Sequence, residues 1–402
     1  MEIRPILSAM LRNKTGAVLV SLQIAITLAI IVNAAFIVAQ RIEKINRPVG
    51  LPIGELIFIG ATGFGDTYNH RESIRQDLET LRAMPGVVSA STIRGVPLSG
   101  GGSSTGHHPS DDPESQSFSD NYYFADETTA ETLGLKIIAG RWFREDEILW
   151  QQSQDEPNYP ETMVLSKALA EDLFGEEDAV GKNVYSGTGK SATVVGVYER
   201  MLGAWVNWER LDRTLFYARV VAPNSVNYVV RANPGDTDRL VAEIEEALGD
   251  ANRERIVRWV YPHEYFINRS YSRDRAMLNL LATVITLLVI ITGLGIVGLV
   301  AFNVNQRRKQ IGTRRALGAR QFHILRYFLV ENWLITTMGL TLGVVLTFTL
   351  SYWLGVQYEL PKLDWRYLPI AIAFIWALGL TSAFGPARRA AVISPAIATR
   401  NV

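Results

Sequence analysis

The chain of 402 residues contains no cysteine. This absence excludes disulfide bonds, thiol catalysis, haem attachment through a Cys-x-x-Cys-His motif and zinc sites built on thiolates. Histidine is also scarce, and its five copies are scattered without a Ser/His/Asp set or a suggestive pair of carboxylates beside them. We therefore expect no catalytic residue, no bound cofactor and no metal site in this chain.

Acidic residues are almost missing from the two ends of the chain. Residues 41–276 hold 36 of the 40 Asp and Glu but only 25 of the 40 Lys and Arg, a net charge of −11. The remaining residues hold 15 basic and 4 acidic side chains, a net charge of +11. Such an asymmetry indicates regions that face different compartments.

Four long segments lack Lys, Arg and Asp in their central turns. A membrane-spanning helix takes about 20 apolar residues, and each segment is long enough. The predicted transmembrane helices are 16–39, 277–304, 324–355 and 367–386. The first is too long for a signal peptide and no small-residue cleavage site follows it, so we predict that it is retained. Glu331, within the third, is expected to face the interface or a neighbouring subunit.

Clusters of Lys and Arg predict the orientation in the membrane, because short loops rich in these residues stay in the cytoplasm. Three clusters agree: Arg4, Arg12 and Lys14; seven bases between 307 and 326; and Arg388, Arg389 and Arg400. We predict that 1–15, 305–323 and 387–402 are cytoplasmic and that 40–276 lies outside. The predicted fold is an α-helical integral membrane protein with four transmembrane helices and a large mixed α/β extracytoplasmic domain.

Two strand–helix–strand patterns bracket the outer domain. They are predicted over 53–59, 71–83 and 87–93, and again over 226–231, 237–248 and 256–261. We interpret them as one split βαβ subdomain close to the membrane, over about 50–97 and 220–262. An amphipathic helix is predicted over 262–277, continuing into the second crossing without a break.

Between these patterns lies a predicted distal lobe over about 98–219. Its first part, 98–120, is rich in Gly, Ser, Asp and Pro and predicts an exposed loop. His107 and His108 lie there and are interpreted as solvated, because adjacent histidines cannot easily aim at one ion. The predicted helices of the lobe are 122–133 and 166–173, and its predicted strands are 162–165, 184–186 and 192–198.

The segment Ser186-Gly-Thr-Gly-Lys-Ser191 resembles the end of a phosphate-binding loop. The full pattern needs an earlier glycine, where Val184 stands, and a helix afterwards, where a β-rich run follows. We predict a hairpin turn between two strands and no ATP binding by this chain.

The basic stretch 306–326 interleaves charges with apolar residues and has no Asp or Glu. Topology alone would need two or three charges, so we interpret the stretch as an amphipathic helix on the inner membrane surface that a partner contacts. The predicted contact residues are Arg307, Arg308, Ile311, Gly312, Arg314, Arg315, Ala316, Leu317, Gly318 and Arg320.

These residues resemble a known family, the MacB/FtsX-type permease subunits of ABC transporters. Gln306-Arg-Arg-Lys-Gln-Ile-Gly-Thr-Arg-Arg-Ala-Leu-Gly-Ala-Arg320 is similar to its inner-loop signature Arg-x-x-Glu-Ile-Gly-x-x-Arg-Ala-Leu-Gly-Ala, with Gln310 in place of the usual Glu. The ending from Pro386 resembles the family's Pro-x-x-x-Ala-x-x-x-x-Pro-x-x-Ala-Leu-Arg, with Thr399 in place of Leu. Stretches 133–143, 168–175 and 180–197 resemble the MacB-type outer domain, so the resemblance spans nearly the whole chain.

The resemblance implies a permease in the bacterial inner membrane, driven by a dimer of cytoplasmic ABC ATPase subunits that bind ATP and Mg. We expect the ATPase to be a separate chain. A second permease, identical or paralogous, completes the assembly, and a periplasmic adaptor and an outer-membrane channel are further partners that the family allows. No nucleic-acid partner is expected, and the helices contact membrane lipids.

The implied function is mechanotransmission, in which ATP hydrolysis moves the outer domain for efflux or envelope export. The alternative is an FtsX-like transmembrane regulator that activates an envelope enzyme such as a cell-wall hydrolase. The outer domains of such regulators are typically shorter than residues 40–276.

Overall fold

The computed structural model describes residues 14–65, 68–112, 114–151, 158–187, 189–221, 225–252, 254–358 and 361–394. Arg4, Arg12, Arg400 and most of the predicted segments 1–15 and 387–402 therefore lie outside the described residues. The chain forms two compact units. We name Met1–Asn46 with Asp274–Val402 the membrane unit, and Arg47–Arg273 the outer unit.

The described residues form ten α-helices, two short 3₁₀ helices (Ile53–Glu55 and Glu145–Glu147) and twelve strands. The helices are α1 (Lys14–Ile45), α2 (His70–Ala83), α3 (Thr129–Leu133), α4 (Lys167–Phe174), α5 (Thr237–Ala251), α6 (His263–Ser270), α7 (Ser272–Gln306), α8 (Arg308–Ala316), α9 (Gln321–Tyr358) and α10 (Tyr367–Ala391). The strands are β1 (Leu56–Gly63), β2 (Val87–Arg94), β3 (Ser103–His108), β4 (Phe118–Ala125), β5 (Ile137–Gly140), β6 (Leu149–Gln151), β7 (Thr162–Ser166), β8 (Asn183–Ser186), β9 (Ser191–Tyr198), β10 (Thr214–Val221), β11 (Ser225–Ala232) and β12 (Arg255–Pro262).

Within the described residues, α1, α7, α9 and α10 are long and apolar enough to cross a membrane. They extend beyond the predicted segments 16–39, 277–304, 324–355 and 367–386, because polar residues continue a helix where its backbone reaches water. The fourth helix was predicted to end at Pro386, yet α10 runs through this residue to Ala391. A proline is tolerated in such helices when neighbouring groups satisfy the freed backbone.

Close backbone contact holds α1 against α9. A Cβ atom added to Gly339 would lie 2.7 Å from the Ser21 carbonyl oxygen, and one added to Gly343 would lie 2.9 Å from a Leu28 methyl carbon. Small residues four positions apart allow helices to approach in this way within a bilayer. The Ser21 hydroxyl also donates to the Ile335 carbonyl at 3.1 Å. These contacts make α1 and α9 the centre of the membrane unit.

Helix α7 is the least covered of the four. Only 17% of its most apolar window is buried within the chain, against 56% for α1. Within the apolar parts of the two helices, the Thr27 and Thr292 hydroxyls form a hydrogen bond at 2.8 Å. Most of α7 therefore presents an apolar surface to its surroundings.

In the outer unit, β12, β1, β11 and β2 lie side by side in this order, all neighbours antiparallel. Helix α2 connects β1 to β2, and α5 connects β11 to β12. Strands β1 and β2 thus run parallel with β11 between them, as in a split βαβ arrangement. Buried Ile74 and Leu81 of α2 and Leu240 and Ile244 of α5 join the sheet residues in one apolar core.

The predicted helix over 122–133 is wrong. Strand β4 covers Phe118–Ala125, and only Thr129–Leu133 is helical. Strand β4 pairs with β2 and β3 and runs parallel to β10. Because it is covered on both faces, its apolar residues do not alternate with polar ones, and the period of a strand is absent from the sequence.

The predicted loop over 98–120 contains strand β3, which pairs with the first half of β4. His107 is fully buried rather than solvated. Its Nδ1 lies 2.5 Å from an Asp120 carboxylate oxygen and its Nε2 lies 2.6 Å from the Tyr217 hydroxyl. The Gly, Ser, Asp and Pro content of 98–120 predicted a loop, which is wrong for β3. Pairing with a strand that is distant in sequence overrides the local conformational preference of these residues. Pro113 lies outside the described residues.

The predicted hairpin at 186–191 is confirmed, since β8 and β9 pair antiparallel with Val184 opposite Ala192. Thr188 of this turn lies outside the described residues.

The unbroken helix predicted from 262 into the second crossing is wrong. Helix α6 ends at Ser270, and Tyr271 departs from helical geometry with φ −91° and ψ 6°. Its ring is buried and its hydroxyl accepts from Arg47 Nε at 3.2 Å, which holds it out of the helix.

Candidate functional site

The predicted partner-binding stretch forms the short helix α8 between α7 and α9. The helix stops after Ala316 because Gly318 takes a left-handed φ of +93°. Glycine reaches this conformation without strain and commonly ends helices. The Ala319 N–H donates to the Arg314 carbonyl at 3.0 Å, which satisfies one terminal acceptor. The turn then leads directly into α9 at Gln321.

One face of α8 packs inside the membrane unit. Ile311 and Gly312 are buried, and Ile311 belongs to the apolar core that α1, α9 and α10 share. Although both were predicted as partner contacts, they lie against the chain's own helices. They therefore anchor α8 and do not form part of its exposed surface.

Arg307, just before α8, ties this segment to α9. Its Nη1 donates to a Glu331 carboxylate oxygen at 3.0 Å and to the Tyr327 hydroxyl at 2.9 Å. Glu331 is buried, with only 4% of its side chain exposed. It was expected at the interface or towards a neighbouring subunit, but it pairs within the chain. A buried carboxylate in an apolar helix needs such a partner, because an unpaired charge there is costly.

The Tyr327 ring lies between two arginines of the segment. The guanidinium carbons of Arg307 and Arg314 are each 5.8 Å from its centroid. Cations within about 6 Å of an aromatic face are attracted by its quadrupole. Arg314 is itself exposed, so this contact orients a side chain that a partner can still reach.

The opposite face of α8 and the turn after it are exposed. Leu317 is 83% exposed and Phe322, at the start of α9, is 65% exposed. The exposed members of the predicted set are Arg308, Arg314, Ala316, Leu317, Gly318 and Arg320. Arg315 is half-buried, and its Nη1 donates to the Ala319 carbonyl at 3.3 Å. We name Arg308, Arg314, Leu317, Arg320 and Phe322 the coupling face.

Tyr327 was not predicted as part of this site, and Glu331 was predicted in the wrong place. A signal for Glu331 was present: it is the lone acid of its apolar segment, close in sequence to many arginines. The choice of arginine depends on how α8 packs against α9. The local sequence around Glu331 does not contain this information.

A second ion pair links α1 and α7 at their other ends. Asp274 is nearly buried and binds both Arg41 and Lys44, with the Lys44 Nζ 2.9 Å from its carboxylate. All three residues belong to the membrane unit. These ion pairs therefore join the C-terminal end of α1 to the N-terminal end of α7. In sequence, these two ends are next to residues 47 and 273, the first and last residues of the outer unit.

The outer unit contains a buried polar network that resembles a catalytic one only in composition. His107, Asp120 and Tyr217 are enclosed, and Tyr159 extends the chain of hydrogen bonds to a fourth residue. Burial raises the pKa of Asp120, while the neighbouring His107 opposes this rise. His107, Asp120 and Tyr217 are buried and bonded to one another, so we interpret the network as part of the fold. Among the described residues, no group of His, Asp and Glu is arranged to hold a metal ion.

Comparisons with known proteins agree with this architecture. The MacB-like periplasmic core domain family matches residues 18–247, more than half of the chain. The FtsX-like permease C-terminal family matches residues 282–395. Together with the four long helices, these matches confirm the predicted fold class, a membrane protein with a large α/β extracytoplasmic domain.

Similar curated proteins are named macrolide export ATP-binding/permease protein MacB. The protein from Chromobacterium violaceum is 27% identical over 276 residues, which cover 65% of this chain and 40% of the relative. The one from Neisseria meningitidis serogroup A is 23% identical over 402 residues, 96% of this chain and 58% of the relative. The chain thus spans between 40% and 58% of the length of these two relatives.

Two solved structures are similar to part of this chain. The periplasmic region of MacB from Actinobacillus actinomycetemcomitans covers 55% of this chain, with 95% of its own length matched, at 17% identity and a TM-score of 0.35. The extracellular domain of the noncanonic ABC-type transporter YknZ from Gram-positive bacteria covers 50% of this chain, with 98% of its own length matched, at 16% identity and a TM-score of 0.31.

Proposed function

This chain belongs to the MacB/FtsX-type permeases, and from that premise we propose that it converts ATP hydrolysis by a partner ATPase into movement of its outer unit. The observation that carries this proposal is the coupling face. All five of its members are exposed, and four of them lie in a short helix and turn whose other side is anchored by Ile311 and by the pair of Arg307 with Glu331. A push on this face would therefore be passed to α9 rather than absorbed by a loose loop.

The packing of the membrane unit supports a path for that movement. Helix α9 is held against α1 by the close contacts at Gly339 and Gly343. Helix α1 is in turn clamped to α7 by Asp274. Packed helices move as rigid bodies because their interfaces resist gradual deformation. Both α1 and α7 continue in sequence into the outer unit, so a shift of α9 would reach it through two covalent connections.

We propose that the partner is a dimer of separate cytoplasmic ABC ATPase subunits that bind ATP and Mg. The exposed arginines would pair with carboxylates of the ATPase, since a guanidinium can hold a carboxylate at two points. Exposed Leu317 and Phe322 would enter an apolar groove between those charges. The largely uncovered surface of α7 supports a second permease, identical or paralogous, beside this one.

The proposed biological role is efflux or envelope export from the inner membrane of a bacterium, with the termini in the cytoplasm. The names of the MacB relatives support export. Purification with the products of the native operon would test this role. A co-purifying adaptor and outer-membrane channel would support export, whereas a co-purifying cell-wall hydrolase would favour the regulator function instead.

The docking step can be tested by reversing the coupling face. In the triple variant Arg314→Glu, Leu317→Asp, Arg320→Glu we expect loss of ATPase co-purification, because the partner's acidic groups would then meet like charges. The double variant Arg388→Glu, Arg389→Glu, which reverses two exposed bases at the end of α10, is the control and should retain the ATPase. A cytoplasmic-side reporter verifies insertion of both. Normal co-purification with the inserted triple variant would refute the coupling face as the docking site.

The transmission step needs a variant that docks without passing on movement. Arg307→Gln leaves the coupling face intact but breaks the link to Glu331, so we expect normal ATPase binding and reduced ATP-dependent movement of the outer unit. Since the chain has no cysteine, a single Glu176→Cys label in each permease reports that movement as a change in label distance. An unchanged response to ATP in Arg307→Gln would contradict transmission through this pair.

A further inference from the structure

The outer unit contains a cavity of about 280 Å³ at the point where its sheet divides. Strands β2 and β4 are joined there by only two residue pairs, Ile93 with Ala125 and Arg94 with Phe124. Strand β10 accompanies β4 as far as Ala218 and then pairs with β6 from Arg219 onward. The diverging strand ends leave an open space between the two halves of the sheet, lined by protein on several sides.

Three arginines from three different strands line this cavity. They are Arg94 on β2, Arg219 on β10 and Arg258 on β12. Uncharged polar residues accompany them, including Ser103 and Asn227. Among the described residues that line the cavity there is no Asp or Glu. Guanidinium groups that line one concave site create a positive electrostatic potential there, and this potential attracts anions into the site.

Local structure aims two of these arginines. The guanidinium carbon of Arg219 lies 4.7 Å from the centroid of the Phe124 ring, another lining residue, and Arg219 is almost fully buried. Arg258 stands between Val257, which pairs with Ala61, and Trp259, which pairs with Gly60. Because Ala61 directly follows Gly60, Arg258 is the extra residue of a β-bulge. Bulges commonly redirect a side chain near functional sites.

We propose that this cavity is a binding site for a small multiply charged oxyanion, a solute that carries phosphate or carboxylate groups. The planar fork of arginine matches both groups with two parallel hydrogen bonds. The hydroxyl and amide donors can satisfy further oxygen atoms of the same ligand. The cavity volume admits a small solute and excludes a folded partner. This site goes beyond the proposed coupling function and does not depend on it.

The alternative is that the arginines only support the fold. Arg219 serves the fold in part, since it is buried against Phe124. Arg94 and Arg258 are exposed, and their side chains can be shortened without opening the core. Substitutions of these two exposed arginines therefore test ligand binding without a change in stability, and Arg219 is left unchanged in the experiment.

The test uses the full chain in nanodiscs of zwitterionic lipid, titrated calorimetrically with inorganic pyrophosphate and with citrate at constant ionic strength. We expect saturable binding of at least one of them, weakened about tenfold or more in Arg94→Gln and in Arg258→Gln, because each loses a charge-assisted hydrogen bond. The matched control is Arg200→Gln, an exposed arginine outside the cavity lining, which should bind as the wild type does.

Unchanged melting temperatures of the outer unit would verify that the variants remain folded. Absence of saturable binding of both probes by the wild type would overturn the proposal. Equal weakening in Arg200→Gln would also overturn it, since the attraction would then come from general charge rather than from the cavity. The tighter of the two probes identifies whether the natural ligand is a phosphate or a carboxylate compound.

Discussion

The two units of this protein bury charge in different places. In the outer unit, Asp77 and Arg255 form an ion pair that is almost fully enclosed within the protein core. In the membrane unit, Glu331 and Asp274 lie near opposite ends of the long helices, each beside a partly exposed base. The difference follows from the solvent. A protein core can surround an ion pair with hydrogen-bond partners, whereas the centre of a bilayer offers none.

This comparison explains why the ion pairs of the membrane unit suit a mechanical role. They lie towards the ends of the long apolar helices, which is where we propose that a force arrives or departs. The centre of the unit depends instead on close helix packing. The outer unit has an apolar core around its sheet and can move as one body. The following predictions test this division, beginning with the largest expected effect.

Arg255→Met should destabilise the outer unit most. The change leaves the Asp77 carboxylate buried without its cation, which typically costs about 3–5 kcal/mol. The measurement is chemical unfolding of the full chain, followed by the fluorescence of the outer unit. Adding Asp77→Leu should recover part of the loss, because the uncompensated charge is then removed. If Arg255→Met unfolds at the same denaturant concentration as the wild type, the buried pair does not stabilise the unit.

Gly339→Ala should destabilise the membrane unit by about 1–3 kcal/mol, since an added methyl overlaps backbone and side-chain atoms of α1. The new Cβ would lie 2.7 Å from the Ser21 carbonyl oxygen. Unfolding in mixed detergent micelles measures the loss, while the melting of the outer unit should not change. Gly298→Ala on α7 is the matched control, because no heavy atom lies within 4 Å of its added Cβ. Equal sensitivity at both glycines would contradict the close contact of α1 with α9.

The outer unit should lose stability as pH falls. Burial lowers the pKa of His263 to about 4, although its hydrogen bond to the Pro97 carbonyl opposes this shift. The unfolded chain therefore binds a proton that the folded chain excludes between about pH 6.5 and 4. The neutral histidine contributes stability above this window, and about 2 kcal/mol should be lost between pH 7 and pH 5.

His263→Gln supplies the control for this pH dependence. The variant removes the titrating group, so the difference between its stability and that of the wild type should vary with pH in the stated direction. Chemical unfolding at pH 5, 6 and 7 gives this difference, and other titrating groups cancel in it. A difference that is constant over this range would show that His263 is not held neutral.

Leu317→Ser should have the smallest effect on stability. Because Leu317 is 83% exposed, its replacement should change the free energy of unfolding by no more than about 0.5 kcal/mol. The same change should weaken ATPase docking, where a buried anchor contributes about 1–3 kcal/mol. Unfolding and ATPase co-purification are measured side by side. A large loss of stability would place Leu317 inside the chain's own fold and remove it from the coupling face.

Several parts of the structure were predictable because their signal is local. Helices α2 and α5 follow from apolar residues at helical spacing, and the turn after Ser186 follows from its glycines. The basic stretch that contains α8 was also recognisable from charge, since seven bases without an acid lie between 307 and 326. Strand β4 and the burial of His107 were missed because both depend on pairing with β3 and β10, whose residues are distant in sequence.

The sequence by itself determined the four membrane-spanning helices, the uneven distribution of charge along the chain and the family to which the chain belongs. These properties depend on local composition and on short motifs, which act over a few turns of chain. Only the tertiary structure decided that Arg307 binds Glu331, that Ile311 faces inward while Leu317 faces outward, and that Arg94, Arg219 and Arg258 meet in one cavity. Each of these depends on how distant elements pack together, and packing is a property of the assembled surfaces rather than of any single segment.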